Sequence, residues 1–305
     1  MKKIPVGATI AHAYRFAFGQ APTLLRAIWL PLLIQLVVVF FLIKRSALLF
    51  AAMQAQDPSV TTLIGPVLLL FVPATILFFV QLTAAMETAL GEPPRSWFYF
   101  PIGKKMWRLL GGFLAGIFSI IAVALVALLL IWVIAVGLDV ILKAAPGSRP
   151  VIAILGGLLV AIYGYGLFFF AIRFLFLLAP SNVSEPTLGV ARAWHLSAGN
   201  FWRAFLIILA IMLPLSIIQY AFEVALAGFP PLGRGMSKEA AQAAEMTWRI
   251  AEMNAMADRW YLTLPLTGAL MLFQFGAGCA AQAFAYRALT ENDASAPVAG
   301  DGLPD

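Results

Sequence analysis

Six stretches of the chain are apolar almost without interruption, at about 24–43, 62–90, 109–142, 151–179, 201–228 and 260–288. Each matches the roughly 20 residues that a helix needs to cross a bilayer core. A segment in lipid must satisfy its backbone internally, so runs of this length predict helices. Between the runs the pattern changes. Residues 7–20 set Ile10, Ala13, Tyr14 and Ala17 on one helical face and turn His12 and Arg15 away, which predicts a helix lying in the interface. Residues 237–258 show a similar division. There Ala241, Ala244, Trp248, Ala251 and Ala255 form one stripe opposite Glu245, Arg249 and Glu252, and Ser237 stands at the N-cap position. The fold class expected is all-α: a polytopic helical membrane bundle of about six transmembrane helices, with cytoplasmic-side interfacial helices and one external amphipathic helix. Residues 1–290 read as a single integral membrane domain, and the polar tail 291–305 reads as disordered.

The segment before the fifth run, EPTLGVARAWHLSAGNFWRAF at 185–205, is echoed near the start of the sequence. IAHAYRFAFGQ at 10–20 aligns with VARAWHLSAGN at 190–200, matching Ala11 to Ala191, Ala13 to Ala193 and Gly19 to Gly199. The basic positions exchange partners, His12 for Arg192 and Arg15 for His195. This reads as an internal repeat of an amphipathic helix that stops at glycine before its span. A weak middle copy is expected at 91–108, where Gly103 and Trp107-Arg108 parallel Gly199 and Trp202-Arg203 and aromatic and basic residues mingle.

Composition narrows the class. Hydrophobic residues make up 62% of the 305 residues and charged ones 11%, outside the range of soluble domains. The net charge of +6 does not point to nucleic acid, because the basic residues cluster beside the apolar runs, where they set orientation. With the amino terminus inside, Lys2, Lys3, Arg15, Arg26, Arg95, Lys104, Lys105, Arg108, Arg173, Arg192, Arg203 and Arg287 fall on the inner half, the majority of the 20 Lys and Arg. Both termini are therefore expected in the cytoplasm and the 229–259 loop outside. Lys44 and Arg45 directly follow the first run, which marks an uncleaved anchor. The single Cys279 rules out an intrachain disulfide.

No phosphate-binding loop, zinc-type histidine pair or nucleophile elbow is present, so the reading is non-enzymatic, with no cofactor. Ionisable and amide side chains inside spans are the remaining candidates for chemistry. Glu87 and Arg173 fall at matching depth, and either an ion pair or separate snorkelling fits them. Gln274 and Gln282 share a face with Gly278, and Glu223 follows Gln219 by one turn; these residues suit a polar cavity or simple interhelical bonds. Asp139 and Lys143, four apart, suit a surface pair. Gly157-x-x-x-Ala161 and Gly276-x-x-x-Ala280 are spaced for close helix approach. His12, Arg15, Lys104, Lys105, Arg192, His195 and Arg203 are the candidate contacts to lipid headgroups or partners. Residues 237–258 either cover the bundle's own outer end or form a docking face for a protein partner.

GVARAWHLSAGNFWRAF, through Ala193-Trp194, Gly199-Asn200 and Phe201-Trp202-Arg203, resembles a bacterial inner-membrane family of about six helices. The chain is similar to the membrane domain that precedes a glycerophosphodiester phosphodiesterase domain, and to stand-alone relatives of unknown function. The resemblance implies a multi-pass protein of the bacterial inner membrane. It does not imply hydrolysis, because these residues include no soluble catalytic stretch. Two functions are weighed: a scaffold or envelope accessory whose interfacial helices touch the lipid bilayer, and a transporter of a lipid-like or small polar substrate.

Overall fold

A computed structural model describes residues 2–92, 94, 96–144, 149–231 and 235–290, without the side chains of 135, 138–144 and 149–153. The side chains of the Asp139–Lys143 pair and the whole 291–305 tail lie outside what is described. The order of elements is α1 (Val6–Gly19), α2 (Ala21–Gln54), α3 (Val60–Ala89), α4 (Lys104–Ala144), α5 (Arg149–Leu175), α6 (Leu178–Ser184), α7 (Val190–Leu196), α8 (Phe201–Ala227), α9 (Lys238–Asp258) and α10 (Trp260–Thr290). No strand occurs among the described residues. Among the described residues, six helical segments are long and apolar enough to cross a membrane: Ala21–Gln54, Val60–Ala89, Lys104–Ile134, Ile154–Ser184, Phe201–Ala227 and Trp260–Thr290. The protein is an all-α bundle. Many of its large apolar side chains are exposed, with Leu69 at 71%, Phe118 at 66% and Ile162 at 66%. A soluble protein would bury such residues, whereas a lipid-facing belt displays them.

The chain divides into two compact units. One comprises residues 7–106 and 207–284. Here α2 and α3 pack side by side, and α9 lies along α2. The second half of α3 is the core: Val80, Gln81, Thr83, Ala84, Ala85 and Met86 are fully buried. Helix α10 closes on this unit through small residues. A Cβ added to Gly276 would come within 2.9 Å of Leu24 and 3.4 Å of the Ala17 backbone, and Ala277, Ala280 and Ala281 are buried around it. Gly276-x-x-x-Ala280 thus marks a helix contact. The same spacing at Gly157 and Ala161 does not: both are exposed, and nothing lies within 4 Å of the Gly157 Cβ position.

The first apolar run ends near residue 43, yet α2 continues to Gln54. Ala47 and Ala52 on the extension are buried, and Gln54 Nε2 donates to Thr247 Oγ1 of α9 at 2.7 Å. Ser237 caps α9 by accepting from Ala240 N–H at 3.2 Å, as its position predicts. The α9 stripe agrees with the sequence expectation at Ala241, Ala244, Trp248 and Ala255, which are half-buried opposite the exposed Glu245 and Arg249, and departs from it at one pair. Ala251 is exposed, whereas Glu252, expected on the outer side, is buried.

The other unit comprises residues up to Val6, Trp107–Leu206, and from Ala285 onward. The fourth apolar run is one span by composition but two helices by geometry: α5 stops at Leu175, and α6 restarts at Leu178. Asn182 on α6 is fully buried. Its Oδ1 accepts from Gly189 N–H at 3.0 Å, and its Nδ2 donates to the Leu178 carbonyl at 2.8 Å. Gly112 of α4 makes room for it, since a Cβ there would meet Asn182 Nδ2 at 2.5 Å. Helix α7 packs on α5 and α6.

Two expectations for the repeated segment are corrected. No separate helix occupies 91–103 among the described residues; Gly91, at φ 84°, ends α3, and Lys104, Lys105, Trp107 and Arg108 belong to the first turns of α4. The two glycines also differ. Gly199 adopts the left-handed conformation at φ 70° after α7, but Gly19 is the last residue of α1 and does not. Gln20 alone separates α1 from α2. The break there follows from Pro22, which has no N–H to offer the Phe18 carbonyl.

Candidate functional site

In the unit built on α4–α7, one face of α5 carries Tyr165, Phe169 and Arg173 at helical spacing. With Lys3, Gly199, Phe201, Trp202 and Arg203, they line a cavity of about 480 Å3. The left-handed Gly199 turns the chain so that the first three residues of α8 form part of the wall. Arg173 is the best-defined cation. Its guanidinium carbon lies 3.6 Å from the Trp194 ring centroid and 5.5 Å from that of Phe169. Its Nη2 donates to the Trp194 carbonyl at 2.8 Å, and its Nε donates to Ser197 Oγ at 3.3 Å. Trp194 is held in turn by stacking on Phe170 and Phe174, at centroid distances of 5.4 and 4.8 Å.

Asn200 fastens residues 2–4 to this wall. Its Oδ1 accepts from Ile4 N–H at 2.9 Å, and its Nδ2 donates to the Lys2 carbonyl at 3.0 Å. Arg203 Nη1 donates to the Ile4 carbonyl at 2.7 Å, and Lys2 Nζ donates to the Leu289 carbonyl at 3.3 Å. These bonds bring Lys3 beside Arg173 and Arg203. Among the described residues the lining contains three cations and no carboxylate. Glu185 has other partners: its Oε1 accepts from Arg192 Nε at 3.2 Å and from the Tyr286 hydroxyl at 2.8 Å.

In the other unit, Glu87 is buried and bound locally. Lys105 Nζ lies 3.0 Å from Glu87 Oε1 and 2.8 Å from Glu92 Oε2, and the Tyr99 hydroxyl donates to Glu87 Oε2. Burial first, and then the hydrogen bond to Glu87 and its charge, push the Tyr99 phenol well above its ordinary range. Lys105, read as a headgroup contact, is therefore already engaged by two carboxylates. Trp29 Nε1 donates to the Trp97 carbonyl at 2.7 Å, and the Arg26 guanidinium sits 4.9 Å from the Trp97 ring centroid. His12 is exposed and stacks on Phe284 at 4.8 Å. Arg15 and Lys104 are exposed in this unit, as is His195 in the unit that holds Arg173.

A second, smaller cleft of about 230 Å3 lies among α2, α8, α9 and α10, and its polar lining includes Gln219, Glu223, Thr263, Thr267 and Gln274. Gln219 Nε2 donates to Glu223 Oε1 at 3.0 Å. The Glu252 carboxyl is pushed above its ordinary range by burial first and by the Glu223 charge second, with Arg249 acting against both. Gln282 Oε1 is buried without a hydrogen-bond partner. Of Glu87, Arg173, Gln274 and Gln282, the larger cavity takes Arg173 alone and the smaller cleft Gln274 alone.

Sequence reasoning singled out Arg173 and Arg203 but not Lys3, which reads there as a topology charge. Asn200 was visible as part of the Gly199-Asn200 motif, without a sign that its amide would hold residues 2–4. The fold and these sites define a multi-pass helical membrane protein. Compared with protein-family models, with curated proteins and with solved structures, the chain matches none.

Proposed function

We propose that the chain is a non-enzymatic, multi-pass protein of the bacterial inner membrane that serves as an envelope scaffold and engages anionic lipid headgroups at its cytoplasmic face. One observation carries this reading. Lys3, Arg173 and Arg203 converge on a cavity walled by aromatic residues and lacking any carboxylate. Cations beside aromatic rings suit the headgroup layer, where both side-chain types are favoured. The resemblance of Ala193-Trp194 and Phe201-Trp202-Arg203 to the membrane domains described above agrees with it. A protein partner would meet α9 on its exposed face, at Glu239, Glu245 and Arg249.

The test uses protein reconstituted in bilayers of graded anionic lipid content. The thermal transition should rise with the anionic fraction and fall back at high salt; a transition insensitive to both rejects the reading. Reporter fusions at Ser237 and at the carboxyl terminus should report opposite sides of the membrane.

The cleft of Gln219, Glu223 and Gln274 favours a second reading, transport of a small polar solute. Solute flux in proteoliposomes that is lost on Glu223→Gln would put transport first. Absence of flux leaves the scaffold.

A further inference from the structure

Lys3, Arg173 and Arg203 are not satisfied equally by the protein around them. Arg173 uses one Nη2 hydrogen and its Nε hydrogen on Trp194 and Ser197, and Arg203 uses one on Ile4. The remaining guanidinium hydrogens, and the whole Lys3 ammonium, have no hydrogen-bond or ion-pair partner among the described residues. A guanidinium carries five donors in a planar fork that matches the oxygens of a phosphate. Three cations facing one space with no carboxylate repel one another, and an anion placed between them relieves that repulsion.

The rest of the cavity indicates how the anion is presented. Tyr165 lies two turns before Arg173 on α5, about 12 Å along the helix axis toward the apolar interior of the span. Tyr165, Phe169, Phe201 and Trp202 line the cavity with aromatic surface. Phe201, Trp202 and Arg203 open α8, so the positive end of its dipole also meets the cavity. The lining thus combines three cations with four aromatic rings. That mixture fits an amphiphile better than a free ion.

We propose that this cavity is a specific site for the phosphate group of an anionic phospholipid, gripped by Lys3, Arg173 and Arg203, with the glycerol and upper acyl chain along Tyr165 and Phe169. The proposal rests on the lipid-contacting function above and names the site through which that function acts.

The test measures binding of dioleoyl phosphatidic acid, dioleoyl phosphatidylglycerol and dioleoyl phosphatidylcholine to the detergent-purified full chain by native mass spectrometry. Inorganic phosphate at the same concentration is the free-ion arm. Wild type should retain the two anionic lipids and neither phosphatidylcholine nor inorganic phosphate. Lys3→Gln removes a cation that holds nothing else in place, and it should weaken retention about tenfold to a hundredfold, as expected for one charge-assisted hydrogen bond. Arg203→Lys keeps the charge and should weaken retention less than Arg203→Gln does. Lys104→Gln, at a residue that does not line the cavity, should change nothing.

If Lys3→Gln and Arg203→Gln fold and retain the anionic lipids as wild type does, the site is wrong and the general lipid reading stands. If wild type itself does not discriminate anionic from zwitterionic lipid, both fall. Equal retention of inorganic phosphate overturns the lipid assignment. Where Arg203→Gln does not fold, Lys3→Gln decides alone.

Discussion

Arg173 lies 3.6 Å from the Trp194 ring centroid while donating to the same residue's carbonyl at 2.8 Å. One side chain therefore holds both the face and the backbone of α7's central aromatic residue. The short helix has few other anchors: seven residues cannot sustain a helix alone, and Ala193 is its only fully buried position.

Arg173→Lys should therefore loosen α7 although the charge is kept. An ammonium cannot lie flat on the indole or fork to both Trp194 and Ser197. The expected loss is about 1–3 kcal/mol, read as a lower thermal transition in detergent together with a change in tryptophan fluorescence. A variant as stable as wild type would show that the stacking contributes nothing.

Lys105→Met should destabilise by about 1–3 kcal/mol, since it strands Glu87 in a buried position; the Lys105 side chain is 37% exposed, which keeps the loss below that of a fully buried pair. Adding Glu87→Gln should recover part of the loss. Glu87→Gln and Arg173→Gln should instead add within about 0.5 kcal/mol, because each side chain has its own partners. A larger coupling in that second cycle would mean that the two charges sense each other directly.

Substitution of the two repeat glycines should give unequal results. Gly199, at φ 70°, tolerates a Cβ poorly, and Gly199→Ala should cost about 1–2 kcal/mol. Gly19→Ala should be neutral or slightly stabilising, since nothing lies within 4 Å of its Cβ position and alanine favours the helix. Parallel melting curves decide between these outcomes, and equal losses at both sites would contradict the backbone geometry.

Glu252 supplies a pH-dependent test. Its carboxyl is raised above 4.5 in the folded protein by burial and by Glu223, so folding favours the protonated form. That contribution is fully present below the unfolded value and is lost as pH rises through the folded one. Glu252→Gln should therefore raise the thermal transition at pH 7 and lose that advantage as pH falls to about 4. An advantage independent of pH would place the cause elsewhere.

The six spans were legible because uninterrupted apolar runs admit one backbone solution in lipid. The cap at Ser237 was legible because it depends on local chemistry. Partner choice for charged residues was not. Glu87 and Arg173 match in depth along their spans, which suggests each other, but Tyr99 and Lys105 reach the first and Trp194 and Ser197 the second. Loops that return near a span end supply partners that no depth argument contains. The small-residue motif shows the same limit: at Gly276 another helix fills the notch, and at Gly157 none does. Asn182 carried no sequence signal, because its role depends on the missing side chain at Gly112 of another helix. The α9 stripe was legible at Ala241, Ala244, Trp248 and Ala255 but not at Ala251 and Glu252, which exchange sides, since alanine periodicity is too shallow to fix every position in an alanine-rich segment.

The bonds that tie Ile4 to Asn200 and Arg203 join residues 196 and 199 positions apart. A ribosome makes residues 2–4 well before their anchors, which emerge only when the fifth span is being synthesised. Throughout that interval Lys3 stays away from its final cationic neighbours, and the larger cavity has no closed wall. The cationic pocket is therefore a late product of biogenesis. A chain stalled after its fourth span carries every aromatic residue of α5 but no finished place to seat an anion.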